Sequence, residues 1–273
     1  MDYYQYRIQS GATDPAIIMA FLAALPFDSF EEEEDTLNAY IPTNLDNKEI
    51  SSLLDELASE FKFSWERHLL PHQNWNEIWE ANFQPIQVGG FCGIRADFHA
   101  AFADVRHEII INPKMAFGTG HHATTYMMID LMQDLNLSKK KILDYGCGTG
   151  ILAILAAKLG AKPIIAVDID QESYQNTIDN AKINGISGIT TIHGTLEDVP
   201  GVGYEIILAN INRNVILSTL KSLYNKLNSG GVLLISGILN HDGPLIVQEA
   251  EAENFRLLQQ IQRDEWLGFW FEK

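Results

Sequence analysis

A glycine-rich turn between a strand pattern and a helical pattern is the part of this sequence best suited to hold a ligand. Residues 141–145 form a short apolar strand pattern, after which Gly146, Gly148 and Gly150 alternate with other residues until a helical pattern begins at residues 151–159. Glycines can adopt positive φ values and, without a Cβ, they let a ligand approach the backbone closely. The turn therefore predicts a ligand pocket at the carboxyl end of a strand.

A carboxylate at the end of the following strand pattern indicates that the ligand is a nucleoside. Residues 163–168 are apolar up to Asp168, which lies eighteen residues after Gly150. In a doubly wound sheet, an acid at this place offers hydrogen bonds to ribose hydroxyls. A turn that merely joined an ordinary strand to a helix would not need this second acid.

The glycine spacing favours one class of nucleoside cofactor over another. NAD-binding turns carry Gly-x-Gly-x-x-Gly, whereas this chain has Gly-x-Gly-x-Gly, with Asp144 two positions before the first glycine. The pattern Asp-x-Gly-x-Gly-x-Gly followed by an acidic strand end resembles the class I methyltransferases. That resemblance implies S-adenosylmethionine, which has no pyrophosphate to place at a helix N-terminus.

Asn210 ends a third apolar strand pattern, at residues 204–210. A carboxamide at a strand's carboxyl end can accept N–H bonds from an incoming amine and so aim its nitrogen lone pair at a methyl donor. The alternative role is N-cap of the helix pattern that follows. Because Asn212 and Asn214 are also available for capping, we expect Asn210 to contact a ligand.

The segment 113–125 combines glycines, histidines and threonines before an amphipathic helix pattern that runs to Leu135. Gly118 and Gly120 permit this segment to approach the glycine turn at 146–150, called the cofactor turn below. The hydroxyls of Thr124 and Thr125 can cap the helix or bind a ligand. Two adjacent histidines, at 121 and 122, lack an Asp, Glu or His partner four residues later, which disfavours a metal site.

Composition and charge exclude several classes of protein. The 273 residues are 46% hydrophobic, enough for two globular domains, and Cys92 and Cys147 form neither a disulfide framework nor a CxxC metal motif, which fits a reducing cytoplasm. The net charge of −17 disfavours direct nucleic-acid binding, which needs clustered Lys and Arg. It is compatible with a basic protein partner and equally with an acidic surface that serves only solubility. The apolar run 16–25 is too short to span a membrane and lacks the basic start of a signal peptide.

The first seventy residues predict a small α+β domain of the ferredoxin-like type. Its segment 29–42 is long enough for two strands that turn near Glu34 and Asp35, and Asp14 and Pro15 supply an N-cap and first residue for a helix. The expected elements are strands at 3–9, 29–42 and 62–70 and helices at 15–25 and 48–61.

The rest of the chain predicts a connector helix followed by a seven-stranded, mostly parallel α/β sheet. Trp75, Ile78, Trp79 and Phe83 recur at helical spacing until Pro85 stops the pattern. The short link Arg263-Asp-Glu between the last two strand patterns predicts a closing antiparallel hairpin. The strand patterns lie at 107–112, 141–145, 163–168, 204–210, 231–236, 256–262 and 266–271.

Three motifs together resemble the bacterial ribosomal protein L11 methyltransferases, and the resemblance covers nearly the whole chain. They are Met-Ala-Phe-Gly-Thr-Gly-His-His-Ala-Thr-Thr at 115–125, the turn at 144–150, and Ala-Asn-Ile at 209–211. The family usually has Thr-His-Pro-Thr-Thr where this chain has His-His-Ala-Thr-Thr, and Asn-Ile-Leu where it has Asn-Ile-Asn. The resemblance implies a substrate-recognition domain at 1–72, a connector helix and linker at 73–90, and a methyltransferase domain at 91–273.

The resemblance also implies an activity and a set of site residues. The activity is methylation of lysine side chains and of the N-terminal α-amine of the ribosomal protein, with S-adenosylmethionine as cofactor. Asn210 would orient the amine and also touch the cofactor. The resemblance implies cofactor contacts at Thr125, Gly146, Asp168 and Asn210. The other two glycines of the turn, Gly148 and Gly150, are expected to complete the set.

Two alternatives remain open at this level. A release-factor glutamine methyltransferase or a small-molecule N-methyltransferase would share the cofactor pocket, but glutamine enzymes typically carry Asn-Pro-Pro-Tyr where this chain has Asn-Ile-Asn-Arg at 210–213. A noncatalytic module that binds the cofactor without turnover is the second alternative.

Overall fold

The computed structural model describes residues 2–11, 13, 15–22, 25–33, 36–70, 85–112 and 123–273. The chain divides into two compact units, residues 1–75 and 76–273. Within the described residues, no helix combines the length and the apolar character needed to cross a bilayer.

The first unit is a four-stranded antiparallel sheet with two helices. The sheet order β2-β3-β1-β4 is the ferredoxin-like arrangement predicted from the sequence. Helix residues such as Ile18, Leu22 and Leu54 share one buried core with Tyr6 and Leu37 of the strands. The elements are β1 (Tyr3–Gln9), α1 (Pro15–Leu22), β2 (Ser29–Glu33), β3 (Thr36–Pro42), α2 (Lys48–Phe61) and β4 (Ser64–Leu70).

Local capping explains where α2 starts and stops. The Asn47 side chain accepts hydrogen bonds from the backbone N–H groups of Glu49 and Ile50, and Lys62 closes the helix with a left-handed φ of 60°. The strand expected from residue 62 therefore begins at Ser64. In α1, the described helix ends at Leu22 rather than at residue 25, which lies in a turn. Residues 14, 34 and 35, expected to form a cap and a turn, lie outside the described residues.

The second unit begins with a small sheet that the sequence patterns did not predict. Its strands are β5 (Ile86–Val88), β6 (Cys92–Ala96) and β7 (His107–Ile111). β6 pairs antiparallel with β5 and parallel with β7. The connector-helix segment before it, apart from Pro85, lies outside the described residues.

A seven-stranded sheet forms the body of the second unit, in the order β10-β9-β8-β11-β12-β14-β13. β14 runs antiparallel to both of its neighbours, whereas the other pairs are parallel, so the predicted closing hairpin is confirmed. The elements, in chain order, are α3 (Ala123–Gln133), β8 (Ile142–Tyr145), α4 (Ile151–Lys158), β9 (Ile164–Asp168), α5 (Gln171–Ile183), β10 (Ile189–His193), β11 (Tyr204–Asn210), α6 (Arg213–Lys226), β12 (Leu227–Leu239), α7 (Gly243–Ala252), β13 (Arg256–Arg263) and β14 (Trp266–Glu272).

Helices cover both faces of this sheet, which explains the near-continuous apolar runs in its central strands. Residues of α3 and α4 join one core with Ile142 and Ala166, and residues of α6 and α7 join the other with Leu143 and Val167. Consecutive residues of β8 and β9 thus enter opposite cores. The sequence prediction of a seven-stranded, mostly parallel α/β sheet is confirmed.

One strand assignment was wrong. The strand pattern at 107–112 belongs to the small sheet, and the seventh strand of the large sheet is β10. β10 is an edge strand with the sequence Ile-Thr-Thr-Ile-His, and none of its residues is fully buried. A half-exposed edge strand carries a weaker apolar signal than the central strands, which is why its pattern was missed.

Candidate cofactor pocket and active site

A cavity of about 540 Å³ lies at the carboxyl ends of the central strands. Its wall includes Tyr145 at the end of β8, Asp168 at the end of β9 and Asn210 at the end of β11. The strand order reverses at β8, which lies between β9 and β11. Ligands of open α/β sheets bind at such a switch point, and the cavity volume is in the range of small-molecule sites.

The turn that follows β8 has a backbone that only glycine adopts readily. Gly146, Gly148 and Gly150 have φ values of 73°, 54° and 78°. Gly150 is also packed closely, because a Cβ there would lie 2.9 Å from Cγ2 of Thr177. The backbone N–H of Gly146 donates to the carbonyl of Val167 at 2.9 Å, which ties the turn to β9.

Asp168 uses both carboxylate oxygens to hold two loops. Oδ2 accepts the backbone N–H of Gly148 at 2.9 Å, and Oδ1 accepts the backbone N–H of Asp170 at 3.0 Å. Each carboxylate oxygen has a second lone-pair direction. The carboxylate is therefore oriented by the protein and retains acceptor capacity for a ligand. Next to it, Ile169 is 73% exposed and forms an apolar part of the cavity wall.

Polar side chains of α5 support the turn from behind. Thr177 Oγ1 donates to the carbonyl of Gly148 at 3.0 Å, and Asn180 Nδ2 donates to the carbonyl of Thr149 at 2.9 Å. Asn180 Oδ1 accepts the backbone N–H of Asn112 at 2.8 Å. Asn180 thus joins the cofactor turn to the end of β7.

These supporting residues were not predicted from the sequence, although a signal was present. Asn176, Asn180 and Asn184 recur every four residues, where a packed helix face would ordinarily be apolar. Asn176 and Asn180 are buried, and Asn184 bonds both the N–H and the C=O of Ile110 through its side chain. Buried amides at helical spacing indicate backbone partners elsewhere in the fold.

Asn210 meets Thr125 across the cavity wall. Asn210 Nδ2 donates to Thr125 Oγ1 at 3.2 Å, and Thr125 is only 2% exposed. The Oδ1 atom of Asn210 is buried without a hydrogen-bond partner among the described residues. The capping alternative for Asn210 is excluded, because Asn212 caps α6 by accepting the N–H of Val215.

Comparison with known proteins identifies the family. A family model described as ribosomal protein L11 methyltransferase matches residues 20–273. The chain belongs to the ribosomal protein L11 methyltransferase family. It is 41% identical to the ribosomal protein L11 methyltransferase of Porphyromonas gingivalis, over 93% of this chain and 89% of that protein. It is 39% identical to the one from Bacteroides fragilis, over 99% of both.

A solved structure supports the same assignment. The ribosomal protein L11 methylase from Lactobacillus delbrueckii subsp. bulgaricus matches with a TM-score of 0.64 and 30% identity, covering 69% of this chain and 98% of that chain. Membership in the ribosomal protein L11 methyltransferase family confirms the prediction of an S-adenosylmethionine-dependent protein methyltransferase.

The structure brings most of the expected site residues into one cavity wall. Gly150 lies outside the wall and is the N-cap residue of α4. The wall also contains residues that the sequence analysis did not single out, among them Ile169, Gly237 and Trp266. Residues 118 and 120–122 lie outside the described residues, and among the described ones no group of three His, Cys, Asp or Glu side chains is placed to hold a metal. The expected residues in the wall are Thr125, Gly146, Gly148, Asp168 and Asn210.

Thr124 and Thr125 differ from the expected capping position. The helix begins at Ala123, so both threonines lie inside its first turn and both are buried. The helix was expected to be amphipathic, but most of its residues are buried because it packs against β12 and β14 of the sheet and against α4. Asp130 and Gln133 are its exposed positions.

Asp144, two residues before the turn, is a buried carboxyl group. Oδ2 accepts the backbone N–H of Ala153 at 3.0 Å, while Oδ1 has no partner among the described residues. Burial, together with the nearby charge of Asp168, raises the pKa of Asp144 to about 7. The folded protein therefore holds a proton at this carboxyl group at pH values where the unfolded chain, with an ordinary aspartate pKa of about 3.9, has lost it.

This raised pKa predicts a pH-dependent stability. Between the unfolded and folded pKa values the native state binds more protons, so the free energy of unfolding falls as the pH rises from 5 to 8 through the pKa of about 7. In Asp144→Asn, the free energy of unfolding should fall less between pH 5 and 8 than in the wild type. In the exposed control Asp134→Asn, it should fall as much as in the wild type. Urea unfolding of the three proteins at both pH values measures the effect. Identical pH dependence in the wild type and Asp144→Asn would contradict the assignment.

Proposed function

We propose that this protein methylates amino groups of ribosomal protein L11, at lysine side chains and at the N-terminal α-amine, and that it does so in the cytoplasm. Relatives that are 36–41% identical over nearly all of this chain carry the name ribosomal protein L11 methyltransferase. The observation that carries the proposal is the position of the Asn210 carboxamide, which can accept a hydrogen bond from an amine and lies in the same cavity wall as the glycine turn. Family membership does not favour the glutamine or small-molecule alternatives.

The cavity fits S-adenosylmethionine in its polar and apolar parts. Asp168 offers oriented acceptors for ribose hydroxyls, and the exposed Ile169 side chain offers an apolar surface for the base. The positive-φ glycines at 146 and 148 leave space beside the turn. When bound, this cofactor supplies a methyl group activated by the adjacent sulfonium.

Asn210 and Thr125 are suited to receive the acceptor amine. Since the Thr125 hydroxyl accepts from Nδ2 of Asn210, the carboxamide is held with Oδ1 unpaired among the described residues. A buried oxygen without a partner is costly, and an amine N–H brought beside it would satisfy it. Such a bond restricts the amine's orientation, which is the main contribution the protein makes to a displacement between preassembled reactants.

The amine must lose a proton before it attacks. Lysine has a reference pKa of about 10.4 and an α-amine one of about 7.7 to 8.0, and burial lowers both because it disfavours the charged form. The α-amine is therefore the more readily available nucleophile at neutral pH. We assign no side chain as general base, since water can carry the proton away.

The charge of the first unit supports its proposed role in recognising the substrate. Residues 1–70 contain 14 acidic and four basic residues. An acidic surface attracts and orients a basic protein over a range set by ionic strength. We therefore propose residues 1–72 as the substrate-recognition domain, 73–90 as the connector and 91–273 as the methyltransferase domain.

The function is tested by incubating the purified protein with methyl-labelled S-adenosylmethionine and ribosomal protein L11 from the same organism. We expect label on that protein, with intact-mass increments of whole methyl groups that accumulate with time. A second basic ribosomal protein and L11 with chemically blocked amines serve as controls. Label on another acceptor, or none on L11, would reject the substrate assignment.

Asp168→Ala should weaken cofactor binding. The variant removes charge-assisted ribose bonds worth about 1.5 to 3 kcal/mol, which corresponds to a dissociation constant about 10- to 100-fold higher. Calorimetric titration with S-adenosylhomocysteine measures it. Glu172→Ala removes the same charge from the exposed first turn of α5, outside the cavity wall, and should leave the affinity unchanged. An unaltered affinity in Asp168→Ala would count against the ribose role.

Asn210→Ala should lower turnover more than Asn212→Ala. Asn210 is proposed to orient the amine, so its loss should reduce kcat by about tenfold or more. Asn212 caps α6, so its loss should instead destabilise the fold by about 0.5 to 2 kcal/mol. Steady-state kinetics and urea unfolding of both variants separate the two effects. Equal losses of kcat would remove the distinction.

A further inference from the structure

β12 carries a bulge at the wall of the cavity. Its pairing with β14 moves from Ile235–Phe269 to Ile238–Leu267, so β12 advances three residues while β14 advances two. The extra residue falls at Ser236 or Gly237, and Gly237 has a φ of 87°. Such bulges often occur beside active sites, where they redirect the backbone.

The bulge makes room for the backbone of Ile211. A Cβ at Gly237 would lie 2.9 Å from the carbonyl carbon of Ile211 and 3.2 Å from its nitrogen, and it would overlap the carbonyl oxygen. A Cβ at Gly146 would overlap Cγ2 of the same residue. Ile211 therefore occupies space that two glycines, in β12 and in the cofactor turn, leave free.

The position of Ile211 decides where Asn210 lies. Asn210 is the last residue of β11 and pairs in register with Ser236, the residue before Gly237. Ser236 is fully buried, and its hydroxyl donates to the carbonyl of Leu267 at 2.8 Å across the bulge. Displacing the Ile211 peptide would therefore move the Asn210 carboxamide away from its present place in the cavity wall.

We propose that Gly237 is a positioning residue for methyl transfer: the bulge seats the Ile211 peptide and so holds Asn210 where it receives the acceptor amine. This inference rests on the proposed function. Gly237 acts at the amine end of the cavity, through Ile211, whereas Asp168 and the glycine turn form the cofactor end. Its loss should therefore lower turnover much more than cofactor affinity, because Asn210 is only one of the expected cofactor contacts.

The chain offers a matched control in the same strand. Gly230 also lies in β12 and has a φ of 71°, but a Cβ there would meet nothing within 4 Å. Gly230→Ala and Gly237→Ala thus place the same methyl group at a similar positive φ. They differ in the contact with Ile211, so a difference between the variants reports that contact rather than backbone strain alone.

The experiment compares kcat on ribosomal protein L11 with the dissociation constant for S-adenosylhomocysteine in the wild type and both variants. Gly237→Ala should lower kcat about 10- to 100-fold, the size expected from a displacement of about 1 Å, while its dissociation constant stays within about threefold of wild type. Gly230→Ala should match the wild type in both. Equal kcat in the two variants, or a parallel loss of cofactor affinity in Gly237→Ala, would overturn the proposal.

Ser236→Ala keeps Gly237 and removes the hydroxyl that bonds Leu267 across the bulge. This variant tests the role of the bulge if Gly237→Ala does not fold. It should also lower kcat with cofactor affinity retained, and an unchanged kcat would then overturn the proposal. Failure of the proposed function gives a different result: the wild type itself would not transfer label to L11.

Discussion

The carboxylate of Asp168 connects the parts of the cofactor pocket. One oxygen holds the glycine turn at Gly148 and the other holds the loop at Asp170, so a single side chain sets the distance between the ends of β8 and β9. Hydrogen bonds to an ionised acceptor are stronger than neutral ones, and a ligand hydroxyl could use the remaining lone pairs. The same group therefore stabilises the turn and orients acceptors toward the cavity.

Close backbone packing depends on glycines at three points in and beside the cavity wall. Gly150 approaches Thr177, while Gly146 and Gly237 leave room for Ile211. At each point, an added methyl group would push on a neighbouring segment rather than on solvent. Helix α5 completes the arrangement, because its Thr177 and Asn180 satisfy carbonyls of the turn that the sheet cannot reach. The apolar helices pack against the sheet, whereas the polar side chains of α5 fix the position of the turn through hydrogen bonds.

The two proposed ends of the cavity are built differently. The proposed cofactor end consists of backbone groups, the Asp168 carboxylate and the exposed Ile169 side chain, which belong to a turn and two strand ends that are close in the chain. The proposed amine end depends on Asn210, which contacts Thr125 from a distant helix and precedes an Ile211 peptide seated against β12. We expect errors of position at the amine end to lower turnover more than affinity, because an amine must be aligned as well as bound.

Local patterns in the sequence were sufficient to predict the glycine turn, the acid at 168, the availability of Asn212 as a cap and the closing hairpin, since each depends on neighbouring residues and on the period of side-chain burial. The order of elements also predicted both sheets' general type. The tertiary structure alone decided that residues 107–111 join a separate small sheet, that a polar edge strand completes the large one, and that Asn210 meets Thr125. These outcomes depend on which distant segments pack together, and a one-dimensional pattern does not carry that information for half-exposed strands or single polar contacts.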